Sequence, residues 1–136
     1  MSGYSGTPLA KKLGIKEGFK IILLNQPDYY LDLFESLPSD IELLDEGTQG
    51  QVDFIHFFTK SEEELQSKIL DLKSKLKPSG MIWVSWPKKA SKVPTDVDDS
   101  IVRKVGLESG LVDVKVCAVD EVWSGLKFVF RLKDRI

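Results

Sequence analysis

The chain holds a single cysteine and a single histidine. One cysteine excludes an intramolecular disulfide, and Cys117 with His56, far apart in sequence, falls short of any common zinc ligand set. No metal site is expected. No apolar run approaches the roughly 20 residues that a membrane span requires. The start, Met1-Ser2-Gly3-Tyr4-Ser5-Gly6-Thr7-Pro8, lacks a charged stretch followed by an apolar one, so a cytoplasmic protein with no membrane partner is expected. Neither sign of charge is in excess, with 19 Lys and Arg against 21 Asp and Glu, and no bulk field draws the chain to nucleic acid. One further absence bears on chemistry. The first strand, Phe19-Lys20-Ile21-Ile22-Leu23-Leu24, runs straight into Asn25-Gln26-Pro27, where an α/β fold carries its glycine-rich ligand loop.

What is present is an ordinary globular composition: 136 residues, 42% hydrophobic and 29% charged, enough for one domain over 1–136 with a core of its own. Residues 1–18 read as an arm ending in a short helical turn closed at Gly14. The strand at 19–25 is apolar on both faces, as in a sheet covered on two sides. After Pro27, the residues Tyr30, Leu31, Phe34 and Leu37 fall on one helical face, and Pro38 ends that helix. A short strand at 41–44, a loop at 45–50 and a core strand from Val52 to Phe58 follow. Ser61-Glu62-Glu63-Glu64 matches a capping box, in which the serine oxygen and the Glu64 carboxylate serve free amides of the first turn. Leu65, Ile69, Leu72 and Leu76 continue at helical spacing. Lys77-Pro78-Ser79-Gly80 stops this helix and launches a strand at 81–86. A third helix is expected near Thr95, with Asp96, Asp98 and Asp99 at its positive end. The tail alternates at period two on either side of Trp123-Ser124-Gly125, which predicts an antiparallel hairpin turning there. The fold class is α/β: a three-layer, Rossmann-like sandwich with a mainly parallel sheet of about six strands ending in that hairpin.

Leu76-Lys77-Pro78-Ser79-Gly80-Met81-Ile82-Trp83-Val84, the strand Val52-Asp53-Phe54-Ile55 before it, and the helix and terminal hairpin after it resemble the second half of the Rossmann-like, S-adenosylmethionine-dependent methyltransferases. That resemblance implies a glycine-rich turn after the first strand, where the cofactor's amino-acid portion meets bare backbone. Asn25-Gln26-Pro27 departs from it. It also implies an acid at the end of the second strand for the ribose hydroxyls, a role open to Asp45 or Glu46. The arm Ser5-Gly6-Thr7-Pro8-Leu9 with Lys11-Lys12-Leu13-Gly14, the segment Trp86-Pro87-Lys88-Lys89, and Asp120-Glu121-Val122-Trp123-Ser124-Gly125-Leu126-Lys127 are similar to a family of short bacterial proteins of unknown function.

The candidate site lies at the carboxyl edge of the sheet, in a crevice above Asn25, Thr59 and Trp86. Lys88 and Lys89 beside the Trp86 indole suit an anionic, partly flat ligand such as a nucleotide or a carboxylate. Lys12, if the arm folds back, and Lys60 would add charge. The plainer reading is a solvated loop whose tryptophan caps the core. Trp123 and Ser124, at the expected hairpin turn, are a candidate partner surface, including a homodimer interface. His56, between Phe54 and Phe58 on one strand face, reads as a core residue, and Cys117 as packing. Ser5-Gly6-Thr7 lacks the flanking strand and long helix of a phosphate loop. The leading expectation is a non-catalytic binding or interaction module with no cofactor, its ligand a small anion or a protein. The competing one is a divergent methyltransferase or other small transferase, with Lys12, Lys88 and Lys89 binding charge and Asp120 moving a proton.

Overall fold

The computed structural model describes residues 8–48 and 50–135; the segment Ser5-Gly6-Thr7 lies outside them. Helix α1 (Leu9–Leu13) precedes β1 (Lys20–Leu24), a 3-10 turn at Tyr30–Leu33, β2 (Glu42–Leu44), β3 (Val52–Phe58), α2 (Glu62–Ser74) and β4 (Leu76–Pro87). A 3-10 turn at Lys89–Ser91, α3 (Asp99–Glu108), β5 (Leu111–Ala118) and β6 (Trp123–Phe130) follow. The six strands form one sheet in the order β2-β1-β3-β4-β6-β5. β1 pairs in parallel with β2 and with β3, and β3 with β4, while β6 runs antiparallel to both β4 and β5. The expected α/β sheet with its terminal hairpin is therefore present, and β1 lies between β2 and β3.

Alternation at period two sends successive side chains to opposite faces. One core packs Ile22, Ile55, Phe57, Ile82, Val84, Leu126 and Phe128 under α2 and α3. The other packs Ile21, Phe54, Phe58 and Trp83 under α1, Tyr30 and Phe34. The two outer layers are unequal, since the second consists of a five-residue helix and a four-residue 3-10 turn. Gly106 of α3 sits where an added methyl would run into the Phe128 ring, so the α3 backbone lies directly on β6.

Four local expectations are corrected. The segment after Pro27 forms only the 3-10 turn: Tyr30 N–H donates to the Pro27 carbonyl and Phe34 N–H to the Leu31 carbonyl. Leu31 is 49% exposed instead of sharing a buried face with Tyr30 and Phe34. The stretch between Pro27 and Pro38 is shorter than a helix needs to hold itself, and Tyr30 is claimed by a hydrogen bond to the sheet. Leu76 begins β4 and is not part of α2, whose cap is Lys75. α3 starts at Asp99, not near Thr95, because Asp98 accepts from Ile101 N–H as its cap while Thr95 Oγ1 accepts from Val97 N–H and donates to the Lys60 carbonyl.

The hairpin turn, finally, spans residues 119–122, with Trp123, Ser124 and Gly125 inside β6 opposite Pro87, Trp86 and Ser85. Its geometry comes from Asp120, whose Oδ1 accepts from the backbone N–H of Val122 and of Trp123 at 2.8 and 2.7 Å. No positive dihedral at Ser124 or Gly125 is involved.

Candidate functional site at the carboxyl edge of the sheet

β1, β3 and β4 end together, and the residues that leave them line two neighbouring hollows. The first, of about 560 Å³, is bounded by Asn25, Tyr29, Phe58, Thr59, Glu64 and Trp123, with Lys60 also on its wall. The second, of about 400 Å³, is bounded by Trp86, Lys88, Lys89 and Lys92 together with Asp96 and Asp98. Val93 belongs to both. Asn25, Thr59 and Lys60 thus meet in one hollow, and Trp86, Lys88 and Lys89 in the next. Lys12 lies elsewhere: its Nζ donates to the Ala118 carbonyl on β5, on the α1 face.

At the exit of β1, Asn25 takes a left-handed backbone (φ 60°), the conformation that a glycine adopts without strain and asparagine tolerates. Its Nδ2 donates to the Phe58 carbonyl at 3.1 Å and to Glu64 Oε2 at 3.0 Å. Thr59 Oγ1 donates to Glu64 Oε1 at 2.8 Å. The capping box is therefore half of the expected one. Ser61 Oγ accepts from Glu64 N–H at 3.1 Å, but the Glu64 carboxylate turns away to Asn25 and Thr59, and Ser61 N–H donates to Thr59 Oγ1 instead. Sequence reading missed Tyr29, Lys92 and, most centrally, Glu64. Its helical spacing gave a complete local reason for its presence, and nothing local pairs it with Asn25.

The side wall is aromatic. Phe58 meets Trp123 edge to face with ring centroids 5.0 Å apart. Trp123 is 8% exposed and packed into the second core, so its indole is a wall of the hollow and not a protruding anchor. Tyr29 closes the side of the hollow nearest the hairpin, its hydroxyl donating to Asp120 Oδ2 at 2.7 Å. Asp120 thereby accepts three hydrogen bonds through its carboxylate, while Lys88 Nζ donates to its carbonyl at 2.6 Å. Trp86 is 6% exposed and part of the core beneath α2 and α3. Lys88 contributes charge to the second hollow only from a side chain already bound to the hairpin turn, whereas Lys89 and Lys92 are exposed.

A third hollow, of about 500 Å³, lies between the ends of β1 and β2, lined by Gln26, Asp28, Leu31, Leu43, Leu44 and Asp45. Asp45 Oδ1 accepts from Gly47 N–H at 2.9 Å. Glu46 does not line it and is paired with Lys68 at 3.0 Å.

Packed against Phe58, a wall residue of the first hollow, is a buried polar chain. The Tyr30 hydroxyl and His56 Nδ1 are 2.9 Å apart, and His56 Nε2 and Ser85 Oγ 2.8 Å apart. His56 stacks on Phe58 with centroids 4.2 Å apart. Burial pushes the imidazole down to about 3 and the Tyr30 phenol above its ordinary range. A fully buried imidazole held neutral fits the core role expected for His56. Among the described residues there is no cluster of three metal-ligating side chains, and no helix is long and apolar enough to cross a membrane.

Solved structures share the fold at low identity. Fibrillarin of Aeropyrum pernix, solved with natively bound S-adenosyl-L-methionine, aligns with TM-score 0.60 and 12% identity over 89% of this chain and 73% of its own. The ribosomal protein L11 methylase of Lactobacillus delbrueckii subsp. bulgaricus aligns with TM-score 0.59 and 14% identity over 90% and 75%. The magnesium protoporphyrin IX methyltransferase of Synechocystis PCC 6803, with bound SAH, gives 0.57 and 11% over 85% and 75%. These likenesses show a methyltransferase-like Rossmann fold. No curated protein matches the sequence. The match to a known family runs over residues 10–132, and the chain belongs to that family, described as "Protein of unknown function (DUF3052)".

Proposed function

We propose that the protein is a non-catalytic binding module on a reduced methyltransferase-like scaffold, and that it takes a small, partly flat anion at the carboxyl edge of its sheet. The observation that carries this reading is the closure at the exit of β1. In the methyltransferases that the scaffold resembles, a glycine-rich turn there lets the cofactor's amino-acid portion meet bare backbone. Here the turn keeps a left-handed residue, but Asn25 fills the space above it with an amide tied to Glu64 and to the Phe58 carbonyl. The two hollows supply complementary chemistry side by side. The first offers the aromatic walls Tyr29, Phe58 and Trp123 for a planar group, and the second offers Lys89 and Lys92 for its charge. Concave, largely apolar surface with a few convergent polar groups is the usual form of a small-ligand site.

A second reading has its own observation. Asp45 stands at the end of β2 on the wall of the third hollow, the position that the resemblance gives to a ribose-holding acid, and this favours S-adenosylmethionine binding with methyl transfer.

Thermal unfolding against a panel of nucleotides, aryl carboxylates, S-adenosylmethionine and S-adenosylhomocysteine tests both. A ligand at a hundred times its dissociation constant stabilises a fold by about 2.7 kcal/mol. The expected result is a rise in midpoint with a nucleotide or aryl carboxylate, lost in the double variant Lys89→Gln/Lys92→Gln, and none with the adenosyl compounds. A rise with S-adenosylmethionine that Asp45→Ala removes would replace the binding module by the methyltransferase. Silence across the whole panel would overturn the small-anion reading in favour of a protein partner.

A further inference from the structure

The two hollows at the carboxyl edge share Val93 as a wall and differ in charge. In the second, Asp96 Oδ1 accepts from Glu62 N–H at 2.8 Å and Asp98 Oδ1 from Ile101 N–H at 2.9 Å, so both acids serve the starts of α2 and α3. Lys89 and Lys92 line the same hollow and are exposed. They belong to none of the ion pairs among the described residues, which join Lys68 with Glu46, Lys75 with Asp71, Lys77 with Asp53 and Arg103 with Asp113. The anionic end of a ligand that spans both hollows therefore belongs in the second. The first has the Glu64 carboxylate on its wall.

Neither Glu64 nor Lys60, both on the wall of the first hollow, is in any of those ion pairs. Among the described residues the two Glu64 oxygens accept one side-chain hydrogen bond each, Oε1 from Thr59 Oγ1 and Oε2 from Asn25 Nδ2. A carboxylate has about four acceptor positions, so each oxygen keeps one for a ligand. Acceptors side by side on one charged, planar group match a planar partner with two parallel N–H donors, a pairing whose hydrogen bonds are charge-assisted and therefore strong. The edge-to-face pair of Phe58 and Trp123 on the same wall suits the flat body of such a partner.

A guanidinium and the Watson–Crick edge of guanine both present two parallel N–H donors. The guanidinium is a cation, which Lys89 and Lys92 repel, whereas a guanine nucleotide brings them its phosphate. Adenine offers one amino donor beside the N1 lone pair, which would face a carboxylate oxygen, and hypoxanthine offers its N1–H alone. We infer that the first hollow selects guanine, with Glu64 accepting from the N1–H and the 2-amino group while Lys89 and Lys92 take the phosphate of the same nucleotide. This rests on the small-anion reading of the carboxyl edge and makes Glu64 the residue that determines its specificity.

Calorimetry on the intact protein with guanosine monophosphate (GMP), inosine monophosphate (IMP), adenosine monophosphate (AMP), guanosine and an aryl carboxylate tests it. A site built on hydrogen bonds to a ligand N–H rejects the analogue that lacks one. GMP is expected to bind at least about tenfold tighter than AMP and than IMP, which lacks only the 2-amino group. Glu64→Gln, whose amide turns a donor toward the base in place of one acceptor, is expected to remove the preference of GMP over IMP. Lys89→Gln/Lys92→Gln is expected to weaken GMP toward the affinity of guanosine. The GMP-to-IMP ratio of the parent protein decides even if Glu64→Gln fails to fold. Equal binding of GMP, IMP and AMP, a GMP preference that survives in folded Glu64→Gln protein, or binding of the aryl carboxylate with every nucleotide inert overturns the guanine inference and leaves the small-anion reading standing. Silence across the panel overturns both. A guanine-containing single-stranded oligonucleotide that binds while GMP is inert would overturn the inference in favour of a nucleic-acid surface.

Discussion

His56 is fully buried between a tyrosine and a serine with no charge to offset a proton. Its folded pKa is lowered to about 3 from an ordinary 6.5. Below pH 6.5 the unfolded chain binds a proton that the folded chain refuses until about pH 3. The histidine's contribution to stability is therefore fully present above pH 6.5 and is lost as pH falls through the window down to about 3. Within that window the slope approaches about 1.4 kcal/mol per pH unit. Urea midpoints measured from pH 7 to pH 4.5 should fall more steeply in the parent than in His56→Gln, since other titrating groups act on both alike. The imidazole resonances of this one histidine should stay at their neutral positions across the same range. Parallel midpoint curves, or a ring that titrates near pH 6, would contradict the buried neutral assignment. The core position of His56 was legible from its place between Phe54 and Phe58 on one strand face. Its partners Tyr30 and Ser85 were not, because they are brought to it by the 3-10 turn and by the β3–β4 register.

At the scale of elements, the sheet was legible because alternation and apolar runs are local signals, and every strand occurs near its expected place. The connections were less so. In the hairpin, Ser124-Gly125 has the composition of a tight turn, yet Gly125 is needed inside β6, where a Cβ would crowd Trp83 and Ser85. The turn is built instead by Asp120, which no spacing rule singles out. Asp120 is 8% exposed, and its carboxylate accepts two backbone N–H groups and the Tyr29 hydroxyl. Those bonds account for the whole residue, so the proton-transfer role considered for it under a transferase reading finds no support in its geometry. Asp120→Ala leaves buried donors without acceptors and is expected to cost about 3 kcal/mol, with Asp120→Asn costing less because one oxygen can still accept. Denaturant titration of the two variants checks this, and a loss below about 1 kcal/mol in the alanine variant would show that the turn holds without its carboxylate. The same lesson applies to the candidate site. Asn25, Thr59 and Lys60 were identifiable from strand ends alone, whereas Glu64 and Tyr29 depend on where α2 and the 3-10 turn are packed.

For the whole molecule, the imbalance between its two outer layers raises the question of whether it melts as one unit. α2 and α3 cover one face with 13 and 10 residues, while α1 brings five to the other. A helix of that length has no stability of its own in water, so α1 exists only as docked. Its anchor is Trp83 of β4, whose Nε1 donates to the Leu13 carbonyl at 2.8 Å in a buried contact. Trp83 and Trp123 belong to the core under α1, and Trp86 to the core under α2 and α3. The strands between the two cores are shared, and each core loses its floor if the other face opens. One cooperative transition is therefore expected. In Trp86→Phe, fluorescence reports the α1 face alone while far-UV circular dichroism is dominated by α2 and α3, and the two urea transitions should coincide. Trp83→Phe should weaken both together by about 1–3 kcal/mol through the orphaned Leu13 carbonyl and the lost packing. A fluorescence transition that precedes the dichroism would instead make the α1 layer a separately opening unit, held by the Trp83 anchor without governing the fold.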